Sequence, residues 1–218
     1  MLERKEIGFQ AVKMNTMEKL QMINSYDNID DALERVLAIR EQCGKYFGIA
    51  IGFHERVHKS MAKILAKKLE EFDPMFIEES VLCENMEHFP QIAAARNIPI
   101  ATGERLFGKY DFKRLLKTGG VDIIQPDLSR GVGLTEVRKI ASMTEAFDVA
   151  LAPPCPLRPI ALASCLNVDA VSYNAMIQEQ STGIHYNERK SVLDYVKNQE
   201  DFQFQNSFAD LPVKLGLE

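Results

Sequence analysis

The run Pro74-Met-Phe-Ile-Glu78 is a short apolar segment that ends on an acidic residue, and this arrangement recurs twice further along the chain. Glu104 follows Ile98-Pro-Ile-Ala-Thr-Gly, and Asp127 follows Val121-Asp-Ile-Ile-Gln-Pro. The runs are rich in β-formers and precede helix-like stretches, so the carboxylates fall where parallel strands end and loops begin. In a (β/α) barrel that end is the catalytic rim. Carboxylates gathered there suit a hard cation such as Mg²⁺.

Seven apolar segments read as β-strands, and helical patterns with one apolar face separate them. This alternation predicts an α/β fold with a parallel sheet. A closed barrel of this type has eight strands, so we expect an incomplete (β/α) TIM-type barrel. A doubly wound open sheet is the alternative, although the chain has no glycine-rich phosphate turn. The predicted strands are 10–14, 46–51, 75–77, 98–101, 121–124, 148–152 and 169–173. Three helices are predicted from their apolar faces: the first has Ile29, Leu33, Val36 and Leu37, the second Val57, Met61, Ile64, Leu65 and Leu69, and the third Leu134, Val137, Ile140 and Ala141.

The composition is that of an ordinary globular protein. The 218 residues are 46% hydrophobic and carry a formal net charge of -5, without the basic stripe that nucleic acid or anionic lipid requires. We therefore expect no nucleic-acid partner and no membrane partner. The lack of a membrane-length apolar stretch or a secretory signal predicts a cytoplasmic location, and four scattered cysteines predict reduced thiols. We expect a barrel domain over 1–187 and a tail over 188–218 that packs on it.

His54-Glu55-Arg56-Val57-His58 matches the H-E-x-x-H motif, which on a helix places two histidines on one face for zinc. The motif begins directly after a predicted strand, and its helix is expected to start only near Val57. Two histidines on either side of that boundary do not stack one above the other. We therefore interpret the match as a coincidence. His88 and His185 have no comparable context and are expected to be surface or packing residues.

The acidic residues at the strand ends also have simpler interpretations. Glu78 and Glu79 would form a solvated pair, Glu104 would pair with Arg105, and Asp127 would cap the following turn. Placement of the carboxylates at adjacent strand ends favours a shared cation site instead.

Four motifs at these strand ends closely resemble the enolase superfamily. They are Phe76-Ile-Glu-Glu, Gly103-Glu-Arg, Ile124-Gln-Pro-Asp-Leu-Ser and Gln178-Glu-Gln. The resemblance spans nearly the whole chain and is greatest to the D-galactonate dehydratases, a family of sugar-acid dehydratases. It implies Mg²⁺ held by three carboxylates on successive strands, where it stabilises the enediolate formed when the proton beside the substrate carboxylate is removed.

The resemblance also implies roles for individual residues. Glu78 and Glu104 match two of the metal ligands. His54 matches the acid that helps the hydroxyl leave, Asp127 the partner that orients the base histidine, and Glu179 an acid that lines the site. The implied substrate is a galactonate-like sugar acid, and loss of water gives a 2-keto-3-deoxy acid.

The chain departs from the family where the chemistry is carried. Gly52 stands at the first metal ligand, an aspartate in the family, so Mg²⁺ binding is expected to be weak or absent. Pro154 stands at the base histidine, and its side chain cannot accept a proton. Arg130 replaces another histidine, and Ser80 replaces a proline. The N-terminal capping domain and the first barrel strand of the family are also missing from this sequence.

These departures lead us to expect a truncated, catalytically impaired dehydratase-like protein. One alternative is an active lyase of altered chemistry, in which His54 serves as both acid and base. Another is a non-enzymatic protein that binds a sugar acid or pairs with a full-length homologue through exposed strand edges, so a homo-oligomer is also an expectation.

Overall fold

A computed structural model describes residues 2–15, 21, 23, 25–95, 97–130, 133–155, 159–181, 202 and 204–211. The chain divides into two compact units. Unit 1 comprises residues 1–102 and 114–123, and unit 2 comprises residues 103–113 and 124–218.

Unit 1 alternates helices and parallel strands, in agreement with the predicted α/β class. Its elements are α1 (Leu2–Glu6), β1 (Ala11–Asn15), α2 (Tyr26–Cys43), β2 (Gly48–Gly52), α3 (Lys59–Leu69), β3 (Phe76–Glu78), α4 (Phe89–Ala93) and β4 (Ile100–Thr102). The strands pair in chain order, and the register sets Asn15 beside Gly52 and Gly52 beside Glu78. These three residues therefore lie at one level, at the carboxyl ends of neighbouring strands.

Helix α2 is the longest helix in the part of the chain that the structure describes, and its sequence explains both its position and its end. Apolar residues recur every three to four positions along its buried face, which packs in the core of unit 1. The helix ends where Gly44 takes a φ of 87°, a conformation that favours glycine. Near that end, Arg40 donates to the carbonyls of Phe47 and Phe72. The buried residues of α2 are Ile29, Ala32, Val36, Ile39 and Cys43.

Helix α5 (Lys109–Leu116) and strand β5 (Ile123–Ile124) run across the division of the chain. Unit 2 contains α6 (Gly133–Glu145), β6 (Ala150–Leu151), α7 (Pro159–Ala170) and an antiparallel hairpin of β7 (Phe204–Gln205) and β8 (Phe208–Ala209). The sheet order is β1-β2-β3-β4-β5-β6. Six of the seven predicted strands are therefore present, with shifted or shortened bounds.

The seventh predicted strand, 169–173, is wrong. Residues up to Ala170 belong to α7, and Tyr173 is 96% exposed, so the segment does not alternate between buried and exposed positions as a half-buried strand would. The chain meets β6 only afterwards, through a single parallel bridge between Leu151 and Ala175. Two predicted helix-face residues are also wrong, since Leu37 and Leu134 are 41% and 45% exposed.

The four cysteines are free and buried, which confirms the prediction of reduced thiols. Among the described residues, no helix is both long enough and apolar enough to cross a membrane. His185 lies outside the described residues, and so does most of the predicted tail over 188–218.

Candidate functional site

The loop after β2 carries His54 and Glu55 in the left-handed region of backbone conformation. Their φ angles are 50° and 54°, uncommon values for residues with side chains. The loop is fixed against the end of β3, because Phe53 and Glu55 donate their backbone N–H groups to the carbonyls of Glu78 (2.8 Å) and Glu79 (3.0 Å). Such conformations cost free energy and persist where the surroundings hold them, often at functional sites.

This loop confirms that the H-E-x-x-H match is a coincidence. His54 lies two residues beyond β2 in a non-helical turn, and His58 is the N-cap of α3, which begins at Lys59. The two histidines therefore do not share one helix face.

Glu78 is a buried, charge-compensated carboxylate at the end of β3. Its side chain is fully buried, and Lys13 Nζ donates to its Oε1 at 2.7 Å. Its second oxygen, Oε2, is buried with no hydrogen-bond partner among the described residues. The solvated-pair interpretation is wrong, since Glu79 is also buried, at 1% exposure.

Gly52 lies between the side chains of its two strand neighbours. A Cβ at Gly52 would fall 2.6 Å from Asn15 Oδ1, 3.1 Å from Glu78 Oε2 and 3.2 Å from His54 Cδ2. Asn15 and Glu78 thus approach the point above Gly52 from the flanking strands, and two oxygens and an imidazole edge border it.

His54 has an acidic neighbour within unit 1. Its Nδ1 lies 3.7 Å from Glu79 Oε2, and 30% of its side chain is exposed. A half-buried imidazole beside a buried carboxylate is a chemically competent proton donor or acceptor.

In unit 2, Arg130 joins the two other predicted site carboxylates. Its Nη2 lies 3.0 Å from Glu104 Oε1, and its Nε lies 3.3 Å from Asp127 Oδ2. Glu104 and Asp127 are both buried, whereas Arg130 is 46% exposed. Glu104 is therefore ion-paired with Arg130, whereas the simpler interpretation of the sequence named Arg105 as the partner.

Asp127 also fulfils the turn-capping role that the sequence left open. Its Oδ1 accepts a hydrogen bond from the backbone N–H of Ser129 at 2.7 Å, at the start of a 3₁₀ turn over Leu128–Arg130. Both carboxylate oxygens are thereby engaged. Pro154 is buried, and the described residues of unit 2 include no histidine that Asp127 could orient.

Glu179 is half-buried near the end of the described segment 159–181. The neighbouring Gln178 is fixed by two donated hydrogen bonds, to the carbonyls of Pro153 (2.9 Å) and Glu179 (2.6 Å). The main chain beside Glu179 is therefore held against the segment that contains Pro154.

The residues of unit 1 fit a divalent cation in part. The oxygen donors suit Mg²⁺, and the buried, unpartnered Glu78 Oε2 is an atom that a cation would satisfy. Gly52 contributes no ligand, and the Lys13 ammonium already compensates the charge of Glu78. In unit 2, Arg130 does the same for Glu104. Any metal at these carboxylates would therefore compete with resident cations.

Lys13 and Asn15 were not predicted from the sequence as site residues. They stand two residues apart on β1, so they point to the same face of the strand. Two polar residues on a strand whose other residues are apolar could have indicated a functional position. Their neighbour Glu78 on β3 could not be predicted without knowing the strand register.

A second acidic group in unit 1 surrounds Cys83. Glu55 Oε1 accepts from the Cys83 backbone N–H at 2.8 Å, and the thiol contacts Glu84 Oε2 at 3.6 Å. Burial, followed by the effect of Glu55, raises the pKa of Cys83 to about 12. The thiol therefore stays protonated at neutral pH and is a poor metal ligand or nucleophile.

Comparison with known proteins identifies the class to which this fold and site belong. The sequence profile described as "Enolase C-terminal domain-like" matches residues 1–217. The chain therefore belongs to the enolase C-terminal domain family. The predicted fold class is confirmed, and the doubly wound alternative is wrong.

Solved structures place the likeness within the enolase superfamily. The chain is 27% identical to a mandelate racemase/muconate lactonizing enzyme from Jannaschia sp. CCS1, covering 96% of this chain and 53% of that one, with a TM-score of 0.81. It is 25% identical to a mandelate racemase/muconate lactonizing enzyme-like protein from Roseovarius sp. TM1035, covering 95% of this chain and 51% of that one, with a TM-score of 0.85. It is also 25% identical to an enolase superfamily member from Salmonella Typhimurium, covering 83% of this chain and 49% of that one, with a TM-score of 0.78. The chain thus spans about half the length of these structures.

Proposed function

We propose that this chain is a sugar-acid dehydratase-like member of the enolase superfamily in which the dehydration chemistry is impaired. The substrate class follows from the resemblance to D-galactonate dehydratases, and the impairment follows from the state of the site carboxylates. Glu78 and Glu104 are the proposed metal ligands, His54 the proposed acid, and Glu179 a proposed lining residue. Bound Mg²⁺ would stabilise the negative charge that develops beside the substrate carboxylate.

The observation that carries the proposal is the engagement of Asp127. An aspartate that orients a base histidine directs a carboxylate oxygen at the imidazole N–H. Here one oxygen pairs with Arg130 and the other accepts from Ser129. Pro154 stands where the base is expected, and its side chain has no proton acceptor. A positioned base contributes about 100- to 10,000-fold to such a reaction, so its loss would remove most of the rate.

The test is turnover of D-galactonate by the purified chain in the presence of Mg²⁺. The 2-keto-3-deoxy product is measured as its semicarbazone, beside an intact D-galactonate dehydratase at equal concentration. We expect a rate at least about 100-fold below that of the intact enzyme. A comparable rate would contradict the proposal.

The contact between His54 and Glu79 favours a second candidate, an active lyase in which His54 serves as acid and base. Glu79 would then stabilise the imidazolium form. This candidate requires measurable turnover that His54→Ala abolishes and His88→Ala leaves unchanged. Turnover that survives in His54→Ala would exclude it.

A further inference from the structure

The end of β1 supplies an oxygen where Gly52 supplies none. Asn15, Gly52 and Glu78 stand side by side on three strands. Because the central residue has no side chain, the carboxamide of Asn15 reaches over it to within 2.6 Å of the position that a Cβ would occupy. A ligand side chain on β2 would need that space, so Asn15 and a residue larger than glycine at position 52 exclude each other unless Asn15 moves.

Glu78 approaches the same point from the other side. Its Oε2 lies 3.1 Å from that Cβ position and is buried without a hydrogen-bond partner among the described residues. An unpartnered buried carboxylate oxygen costs free energy unless a proton donor or a cation satisfies it. Two oxygens of different strands, one neutral and one anionic, thus border one small space.

We propose that the carboxamide oxygen of Asn15 replaces the missing ligand of β2, so that Asn15 Oδ1 and Glu78 Oε2 bind a hard divalent cation within unit 1. Carbonyl and carboxylate oxygens are the ligand types that Mg²⁺ and Mn²⁺ take, with water completing the shell. The inference deepens the proposed function, because it names a ligand at the proposed cation site. It does not depend on whether the chain turns over a sugar acid.

The competing arrangement is a flipped amide. If the Asn15 side chain is turned so that Nδ2 faces Glu78, it would donate a hydrogen bond to Oε2 and no cation would be needed. The O and N assignment of an amide is settled by its partners, so a substitution must separate the two cases. Asn15→Asp does so. If the amide oxygen is a ligand, the added charge strengthens the cation site; if the amide is flipped, the substitution replaces its hydrogen bond to Glu78 with repulsion between two carboxylates.

The experiment is a titration with Mn²⁺, in which electron paramagnetic resonance reads the free ion, without any substrate present. We expect saturable binding to the unaltered chain in about the millimolar range, since Lys13 opposes the metal charge and few protein ligands are available. Asn15→Ala should weaken binding about tenfold or more, and Asn15→Asp should tighten it by a similar factor. Asn28→Asp, which adds the same charge on α2, should bind as the unaltered chain does.

Three results would overturn the inference. Asn15→Ala that binds Mn²⁺ as tightly as the unaltered chain would show that the amide is no ligand. Absence of binding in both the unaltered chain and Asn15→Asp would show that these two strand ends hold no cation site. Binding by Asn15→Asp alone would mean that the native amide oxygen is not a ligand. Each result leaves the turnover test of the proposed function open, so the two can fail separately.

Discussion

Replacement of Asp169 by asparagine should stabilise the protein at alkaline pH and leave it unchanged near pH 4. Asp169 stands near the end of α7, and its Oδ1 is buried with no hydrogen-bond partner among the described residues. Burial raises the pKa of this carboxyl from 3.8 to about 7. The folded protein therefore binds the proton more tightly than the unfolded chain does.

The sign of the pH dependence follows from that raised pKa. Below about pH 4 the carboxyl is protonated in both states and contributes no penalty. As the pH rises from about 4 to about 7, the unfolded chain releases the proton first, so the free energy of unfolding falls. At 1.36 kcal/mol for each tenfold change in proton affinity, the loss approaches about 4 kcal/mol above pH 7.

Urea unfolding followed by circular dichroism between pH 4 and pH 8 measures this effect. At pH 8 the free energy of unfolding of Asp169→Asn should exceed that of the unaltered protein by about 1 to 4 kcal/mol. The range reflects that a buried amide also needs hydrogen-bond partners. Asp210→Asn, an exposed aspartate of the same unit, is the matched control and should show no such trend. An Asp169→Asn difference that is constant across the pH range would refute the reasoning.

Two further predictions concern unit 1 and are measured by the same unfolding assay. Gly120→Ala should destabilise the protein by about 2 to 3 kcal/mol, because the new Cβ would fall 2.4 Å from Pro90 N and 2.6 Å from Phe89 C, which are backbone atoms that cannot move cheaply. The control is Gly108→Ala, whose Cβ would meet nothing nearer than 3.9 Å and which should be near neutral. Equal losses of stability in the two variants would contradict the packing argument. Arg40→Lys should lower the free energy of unfolding by about 1 to 3 kcal/mol, because a lysine cannot reproduce the several hydrogen bonds that the guanidinium donates to the carbonyls of Phe47 and Phe72. Arg35→Lys, at an exposed position of the same helix, should change it little. Equal losses of stability in the two variants would contradict this reasoning.

The sequence predicted the strand positions well because the period of apolar residues is a local property. It failed at 169–173, where Val171 and Tyr173 have strong β propensity, yet both are more than half exposed. Propensity alone does not say whether the sheet has room for another strand there. The single bridge at Ala175 is a tertiary outcome that no local pattern encodes.

The candidate site was predicted in part for a related reason. The carboxylates Glu78, Glu104 and Asp127 could be found because each ends an apolar run. The cations that pair with them could not, since Lys13 and Arg130 are separated from Glu78 and Glu104 by many residues and meet them only in the folded chain. The roles assigned to these carboxylates remain predictions.

Removal of the proton beside the substrate carboxylate is the step that the account holds to be impaired, and solvent exchange measures it directly. D-galactonate is incubated in D₂O with Mg²⁺ and the purified chain, and proton magnetic resonance follows the signal of the hydrogen on the carbon next to the carboxylate. We expect this signal to decay at least about 100-fold more slowly than with an intact D-galactonate dehydratase at equal concentration. Decay at a rate close to that of the intact enzyme would contradict the proposed impairment, because some group in the chain would then be acting as an efficient base.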